Sequence, residues 1–349
     1  MIRSHDDWLT HRRPPTSAHK RGRSLVNSYE EVSTYGSQRA RSIAVVCGGS
    51  SPETDVSRVS GSCIADALRT TYTDVRLLEF DHTIIDVLKQ DDIDVVFPAL
   101  HGPMGEDGCL QGLLEILRIP YVGNGVLASA CALDKTVAKQ IFRGVGLPVA
   151  RDTVVPCATD MSTVVQSILD NLGSSVVVKP ARQGSALGVQ FAHTVTELAS
   201  AIEHACRFDE RVLVEENIKG REITVAILER NGIEILPIVE ITVPNGAWYD
   251  YEHRYTQGLS THLIPAPLPD SQYQRVAEIA VAAHEALHCR DLSRVDFVVP
   301  PQGDPILLEL NTLPGMTPTS LYPDAARAAG LTFADLCAHL VERALGRAS

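Results

Sequence analysis

Residues 292–317 place the tightest constraint on the fold. Two apolar runs, Leu292-Ser293-Arg294-Val295-Asp296-Phe297 and Leu308-Glu309-Leu310-Asn311, flank a Pro/Gly-rich segment from Pro300 to Pro305. Such a pattern predicts an antiparallel hairpin. Side chains alternate along a strand, so Glu309 and Asn311, two residues apart, share one face. The hairpin brings Asp296 on the other strand toward both. Three hard oxygen donors with Arg294 beside them suit Mg2+ and the phosphates it carries. An edge hairpin with solvated acids explains this stretch equally well, so the rest of the chain has to decide.

The chain has 349 residues, enough for two or three domains and a large core. Lys and Arg number 31 against 43 Asp and Glu, a net charge of −12. That balance argues against nucleic acid as a main partner and leaves room for a local basic cleft for a nucleotide. No apolar run approaches a membrane span, so no membrane partner is expected. The eight cysteines contain no CxxC pair. They read as small buried hydrophobes of a reducing compartment, not as a disulfide framework or zinc site. Residues 1–41 mix Arg, His, Ser and Pro without apolar periodicity and without the apolar core of a secretory signal. They read as a disordered tail, an over-extended start of the reading frame, or a basic arm.

Ile43-Ala44-Val45-Val46-Cys47 is an apolar run ending in Gly48-Gly49-Ser50-Ser51, which predicts a buried strand entering a turn and then a helix over 55–69. Further strands are expected at 75–80 and 93–100, giving a parallel sheet with crossover helices. Ligands of such sheets bind at the carboxyl ends of strands, where Glu53 and His101 lie. The glycine-rich loop 101–108 precedes a helix over 109–118 with Leu110, Leu113, Leu114 and Leu117 on one face. A second helix contains Asp134-Lys135 and is broken by Gly146-Leu147-Pro148.

Strands at 153–155, 176–180, 189–191 and 211–216 then alternate with helices at 161–172 and 196–207. The loop Arg182-Gln183-Gly184-Ser185-Ala186-Leu187-Gly188 joins two antiparallel strands. That is a flap over phosphates, unlike a Walker loop, which opens a helix; no GxxxxGK[ST] occurs in the chain. Lys179 sits at the flap base, where a cation meets phosphate oxygens. Paired strands at 221–228 and 233–239 follow, then an irregular stretch over 244–269. A loop of that length inside a domain suggests a lid. Helices over 272–289 and 332–345 flank the hairpin.

Several motifs now fall in order. Leu100-His101-Gly102 with Gly105-Glu106-Asp107-Gly108, Asp134-Lys135, Val178-Lys179-Pro180 with the flap, and Val214-Glu215-Glu216 with Glu222 come first. Tyr249-Asp250-Tyr251-Glu252, Arg294-Val295-Asp296 and the run from Glu309 to Thr317 complete the set. Together they resemble the D-alanine–D-alanine ligase family of the ATP-grasp superfamily, over about residue 42 to the C-terminus. The resemblance implies a mixed α/β chain, an ATP-grasp fold after an N-terminal parallel α/β domain. The implied domains are 42–123, 124–215 (with the flap) and 216–349 (with lid and metal site).

It also implies a cytoplasmic homodimer formed through the N-terminal domain. This enzyme would make D-alanyl-D-alanine for peptidoglycan through an acylphosphate, using ATP and two Mg2+ ions, with Mn2+ as a substitute. By the same resemblance, Lys135 and Lys179 contact ATP phosphates. Glu215, Glu216, Ile218 and Glu222 meet adenine and ribose, and Trp248 and Leu308 pack the base. Asp296, Glu309 and Asn311 hold the metal pair. Arg294 stabilises charge on the acyl centre, helped by backbone amides near Gly315. Glu53 binds the ammonium of the first D-alanine, with His101 in the same substrate site. Ser320 and Leu321 hold the carboxylate of the second substrate. Ser185 and Tyr255 close a latch with Glu53.

The chain departs from the family pattern in the flap and the lid. Gln183 stands where an acid is common, Ala186 where a second serine is common, and Arg254 where a lysine is usual. The lid pattern resembles the dipeptide branch more than the D-lactate branch. Leu313, Tyr322 and Pro323 resemble resistance-type ligases, which leaves a D-alanyl-D-serine product open. A non-catalytic nucleotide-binding protein, or a ligase for another amino acid in a natural-product pathway, is the alternative class.

Overall fold

The computed structural model describes residues 41–90, 92–244 and 248–348. The tail expected over residues 1–41 lies, up to residue 40, outside the described residues.

The first sheet is formed by β1 (Ser42–Cys47), β2 (Asp74–Glu79) and β3 (Val95–Pro98), in the order β2-β1-β3 and all parallel. Ile43 through Val46 have no exposed surface, as a strand covered on both faces requires. Its crossovers are α1 (Thr54–Arg69) and α2 (Ile84–Gln90), and α3 (Cys109–Leu117) follows β3. Gly61 lets α1 come close to β1. A Cβ there would stand 2.5 Å from that of Cys47.

Next come α4 (Val126–Leu133) and α5 (Lys135–Gly144). Asp134 therefore lies between two helices, not inside one as expected from sequence. Its carboxylate accepts from the amides of Thr136 and Val137, capping α5 and making Lys135 the first helical residue.

The second sheet is antiparallel, in the order β4 (Asp152–Pro156), β7 (Arg211–Glu216), β5 (Val176–Pro180), β6 (Gln190–Ala192). Helices α6 (Met161–Leu172) and α7 (Val195–Ala205) cover one face through Val165, Ile168, Leu198 and Ile202. Alternation along β5 sends Val176 and Val178 into that core and leaves Val177 and Lys179 on the other face. Cys157 and Cys206 form a disulfide with Cα atoms 5.7 Å apart, correcting the expectation that all eight cysteines stay thiols. Packing α7 on this sheet brings the two together across 49 residues of sequence, which spacing alone does not reveal.

The third sheet is also antiparallel. It contains β8 (Arg221–Glu229), β9 (Ile233–Ile235), β10 (Val239–Thr242), β11 (Thr261–Leu263), β12 (Leu292–Val299) and β13 (Ile306–Asn311). Its order is β11-β10-β8-β12-β13, with β9 also on β8. The strand expected over 233–239 is thus two strands, interrupted around Pro237. The stretch 244–269 is more regular than expected, holding α8 (Tyr251–Tyr255) and β11. Ile223 through Leu228 of β8 are buried between two cores, one with α9 (Asp270–Ala286) and one with α10 (Leu321–Ala328) and α11 (Phe333–Ala348).

Candidate active site

A cavity of about 370 Å³ opens between the second and third sheets. One wall is the outward face of β5 with the end of β7, bringing Val177, Lys179, Glu215 and Glu216 to it. Ile218, Glu222 and Trp248 line it as well, and Trp248 meets Phe191 of β6 edge-on at 5.5 Å. From the hairpin come Leu308 and Glu309. The ladder between β12 and β13 is bulged beside these two. Asp296 pairs with Glu309 but Phe297 pairs with Leu307, leaving Leu308 as the extra residue.

Cations and acids gather at one end. Lys135 lies 3.0 Å from Glu309 and donates to the Gln183 carbonyl at 2.7 Å. Lys179 lies 2.5 Å from Glu215. Burial alone raises the pKa of Glu309, but Lys135, Arg254 and Lys179 outweigh it and hold it at about 2. Burial likewise opposes the ionisation of Glu215, and Lys179 and Lys139 bring it to about 2.

The hairpin forms as the sequence predicts. Asp296 faces Glu309 and Arg294 faces Asn311. Two carboxylates directly opposite on a ladder repel each other unless cations intervene. Here Arg294 donates two bonds to Asp296, at 2.9 and 2.8 Å. Thr224 and Asn311 donate to Asp296 as well. Asp296 lines neither this cavity nor the smaller one beside it. Among the described residues no group of three His, Cys, Asp or Glu side chains is spaced to hold a metal. The trio offers two carboxylates and an amide, a hard oxygen set that suits Mg2+ when phosphate oxygens complete the shell.

A smaller cavity of about 60 Å³ adjoins the first, and Tyr249, Arg254 and Glu309 line both. Glu53, His101, Ser185, Tyr255, Arg294, Gly315, Ser320 and Leu321 all line it, so the residues expected for substrate and latch converge. Ser185 donates to Glu53 and lies 2.6 Å from the Tyr255 hydroxyl, which closes the expected latch. Ser185 takes a left-handed backbone, φ 49°, to reach across. The second oxygen of Glu53 is buried with no hydrogen-bond partner. Burial and the nearby Arg294 push His101 down to about 4, so its ring is neutral and meets Ser60 at 3.0 Å. Ser320 is the N-cap of α10 and makes no side-chain bond to the helix, so the start of α10 lies at this cavity with the Leu321 and Tyr322 amides uncapped by it.

The sequence assigns Glu106 no role of its own, although the Gly105-Glu106-Asp107-Gly108 motif contains it. It lines the smaller cavity and accepts from the Gly102 amide at 2.6 Å. Withdrawal from water and the nearby Glu53 raise its pKa to about 8. An unfolded glutamate titrates near 4.5. The folded chain therefore holds an extra proton between the two values. Stability from this group is complete below about pH 4.5 and is lost as pH rises through about 8. Glu106→Gln is expected to flatten the decline in melting temperature across that interval. An unchanged decline would assign it to other groups.

On Gln183 the structure differs from the role of an acid at that position. Its side-chain amide donates to the Phe208 carbonyl at 3.0 Å, and its backbone carbonyl accepts from Lys135. Tyr322 is fully buried and donates to the Ile227 carbonyl, so it has no access to a substrate. Of Leu313, Tyr322 and Pro323, only Leu313 lines the smaller cavity.

Two antiparallel sheets closing on a cavity, with paired lysines and glutamates at one end and Val177, Phe191, Trp248 and Leu308 along it, define an ATP-grasp protein. The D-ala D-ala ligase C-terminus family matches residues 141–342, and the D-ala D-ala ligase N-terminus family matches residues 81–124. The D-alanine–D-alanine ligase of Halalkalibacterium halodurans is 45% identical over 306 residues, covering 87% of this chain and 99% of that protein. The crystal structure of the Bacillus anthracis D-alanine–D-alanine ligase complexed with ATP aligns with a TM-score of 0.77 at 34% identity. It covers 89% of this chain and 99% of that one. The VanG D-Ala:D-Ser ligase of Enterococcus faecalis aligns with a TM-score of 0.74 at 30% identity, over 88% of this chain and 100% of that one. The chain belongs to the D-alanine–D-alanine ligase family.

Proposed function

We propose that this protein joins two D-alanines to D-alanyl-D-alanine at the expense of ATP, supplying peptidoglycan synthesis in the cytoplasm. The observation that carries the reading is the meeting of the two cavities at Glu309 and Arg254. A nucleotide in the larger cavity, phosphates toward Lys135 and Lys179, ends where a small substrate in the other begins. No described helix is long and apolar enough to cross a membrane. The reading divides the chain into residues 42–123 for the first substrate, 124–215 for the flap and 216–349 for lid and metal. A homodimer through the first of these accompanies it.

Phosphoryl transfer between two anions needs alignment and charge neutralisation more than covalent help from the protein. Lys135 and Lys179 hold the phosphates. Glu215, Glu216, Ile218 and Glu222 meet adenine and ribose, and Trp248 and Leu308 pack the base. Asp296, Glu309 and Asn311 would hold Mg2+, which neutralises phosphate charge when bound. The partnerless oxygen of Glu53 takes the ammonium of the first D-alanine, in a site His101 also lines. Its carboxylate then lies by Arg294, which with amides near Gly315 stabilises the oxyanion formed when the second amine attacks the acylphosphate. Ser320, Leu321 and the start of α10 receive the second carboxylate.

The latch of Glu53, Ser185 and Tyr255 excludes water from the acylphosphate. Tyr255→Phe is therefore expected to release more phosphate than dipeptide, by roughly twofold or more, with kcat falling on the order of tenfold. Equal yields of phosphate and dipeptide would leave the latch without this role.

Leu313 at the acceptor end and the likeness to the D-Ala:D-Ser ligase favour D-serine as the second reading. Phosphate release with ATP and D-alanine, D-serine or D-lactate separates the cases. The proposal expects D-alanine alone to suffice. Release only when D-serine is added would transfer the assignment to that branch, and no release with either would remove it.

A further inference from the structure

Lys139 has no part in the roles above, yet its burial is unusual. Among the described residues no other lysine or arginine is so buried, at 1% exposed. Its ammonium lies 3.2 Å from Asp152 and bonds one carboxylate oxygen of Glu215. The other Glu215 oxygen takes Lys179. Arg143, one turn further along α5, holds Asp152. Asp152 and Glu215 are direct partners on β4 and β7, a like-charge pair that needs a cation between them. Lys179 and Glu215 line the nucleotide cavity, whereas Lys139 does not.

We infer that Lys139 is a positioning residue for ATP, keeping Glu215 ionised and paired when Lys179 turns from Glu215 to the phosphates. The inference rests on the reading that ATP occupies the larger cavity. A buried carboxylate that loses its only cation takes up a proton. With one lysine per carboxylate oxygen, Lys179 can leave and Glu215 stays charged. The charged groups around Glu215 are Lys139 and Arg143 from α5, Asp152 from β4, Lys179 from β5 and Glu216 on its own strand. Under burial that opposes ionisation, the two lysines hold Glu215 low.

The test is calorimetric titration of the full chain with ATP and Mg2+, without D-alanine, in two buffers of different ionisation enthalpy. Wild type, Lys139→Gln and Lys139→Arg are compared from about pH 6 to about pH 8. The glutamine variant is expected to take up more protons per ATP than wild type. Its affinity should fall roughly tenfold or more at the alkaline end and recover as pH drops. The arginine variant should keep the proton count and affinity of wild type. A glutamine variant with the wild-type proton count and a pH-independent loss of affinity would overturn the inference, because a purely structural lysine behaves that way.

Circular dichroism melts establish whether the glutamine variant folds. Should it not, wild type carries the test. Proton uptake on ATP binding that disappears in Glu215→Gln would overturn the inference, and its absence, with a wild-type-like arginine variant, supports it. Failure of wild type to bind ATP would count against the proposed function instead.

Discussion

Asparagine at position 296 is expected to lower kcat by on the order of a hundredfold to a thousandfold, with the fold retained. Asp296 is enclosed by three donors, Arg294, Thr224 and Asn311. The amide keeps the shape and one acceptor oxygen but loses the charge that Arg294 balances. Charge-assisted bonds are worth about 1.5–3 kcal/mol each, so a melting temperature lower by several degrees is expected, short of unfolding. Turnover has more at stake. With Glu309 and Asn311 left, the hairpin offers one carboxylate where two are needed to neutralise metal and phosphate. The Mg2+ concentration for half-maximal phosphate release should rise together with the fall in kcat. Wild-type turnover in Asp296→Asn would remove the hairpin from the metal site.

Arg294→Met is expected to cost about a hundredfold to a thousandfold in kcat/KM for D-alanine, with the KM for ATP changed little. Arg294 lines the substrate cavity and not the nucleotide cavity, which is the basis for that split. It is held by Asp296, a pairing that outweighs its burial and raises its pKa, so it stays charged. Methionine has comparable length without the charge, and it leaves Glu53, Glu106 and Glu309 in the small cavity without that arginine. His101 should also become easier to protonate, because Arg294 is one of the groups that lowers its pKa. Steady-state kinetics with each substrate varied in turn provides the check. A loss confined to the KM for ATP would place Arg294 on the nucleotide.

How much of this was legible in the sequence depended on whether a feature is local. Alternation and turn residues are local, so the hairpin of Asp296, Glu309 and Asn311 and the flap from Arg182 to Gly188 could be read directly. The bulge beside Leu308 and Glu309 is a mismatch between two strands and leaves no mark on either alone. Asp134 followed by Thr136 carries a capping signal, yet apolar residues on both sides suggested one unbroken helix. Lys139 reads as an ordinary helix lysine four residues after Lys135. Only the approach of β4 and β7 gives it two carboxylates. Glu106 is similar, since its raised pKa comes from the fold burying it and bringing Glu53 near. Cys157 and Cys206 meet through the packing of α7 on the second sheet.

The central claim is that D-alanine is activated on its own carboxylate, where the two cavities meet. D-alanine carrying heavy oxygen in its carboxyl group, incubated with the enzyme and ATP, tests it by mass spectrometry of the released phosphate. The account predicts one labelled oxygen in each phosphate, with D-alanyl-D-alanine formed in equal amount. Unlabelled phosphate, with or without dipeptide, would contradict it, because the oxygen attacking ATP would then have come from water.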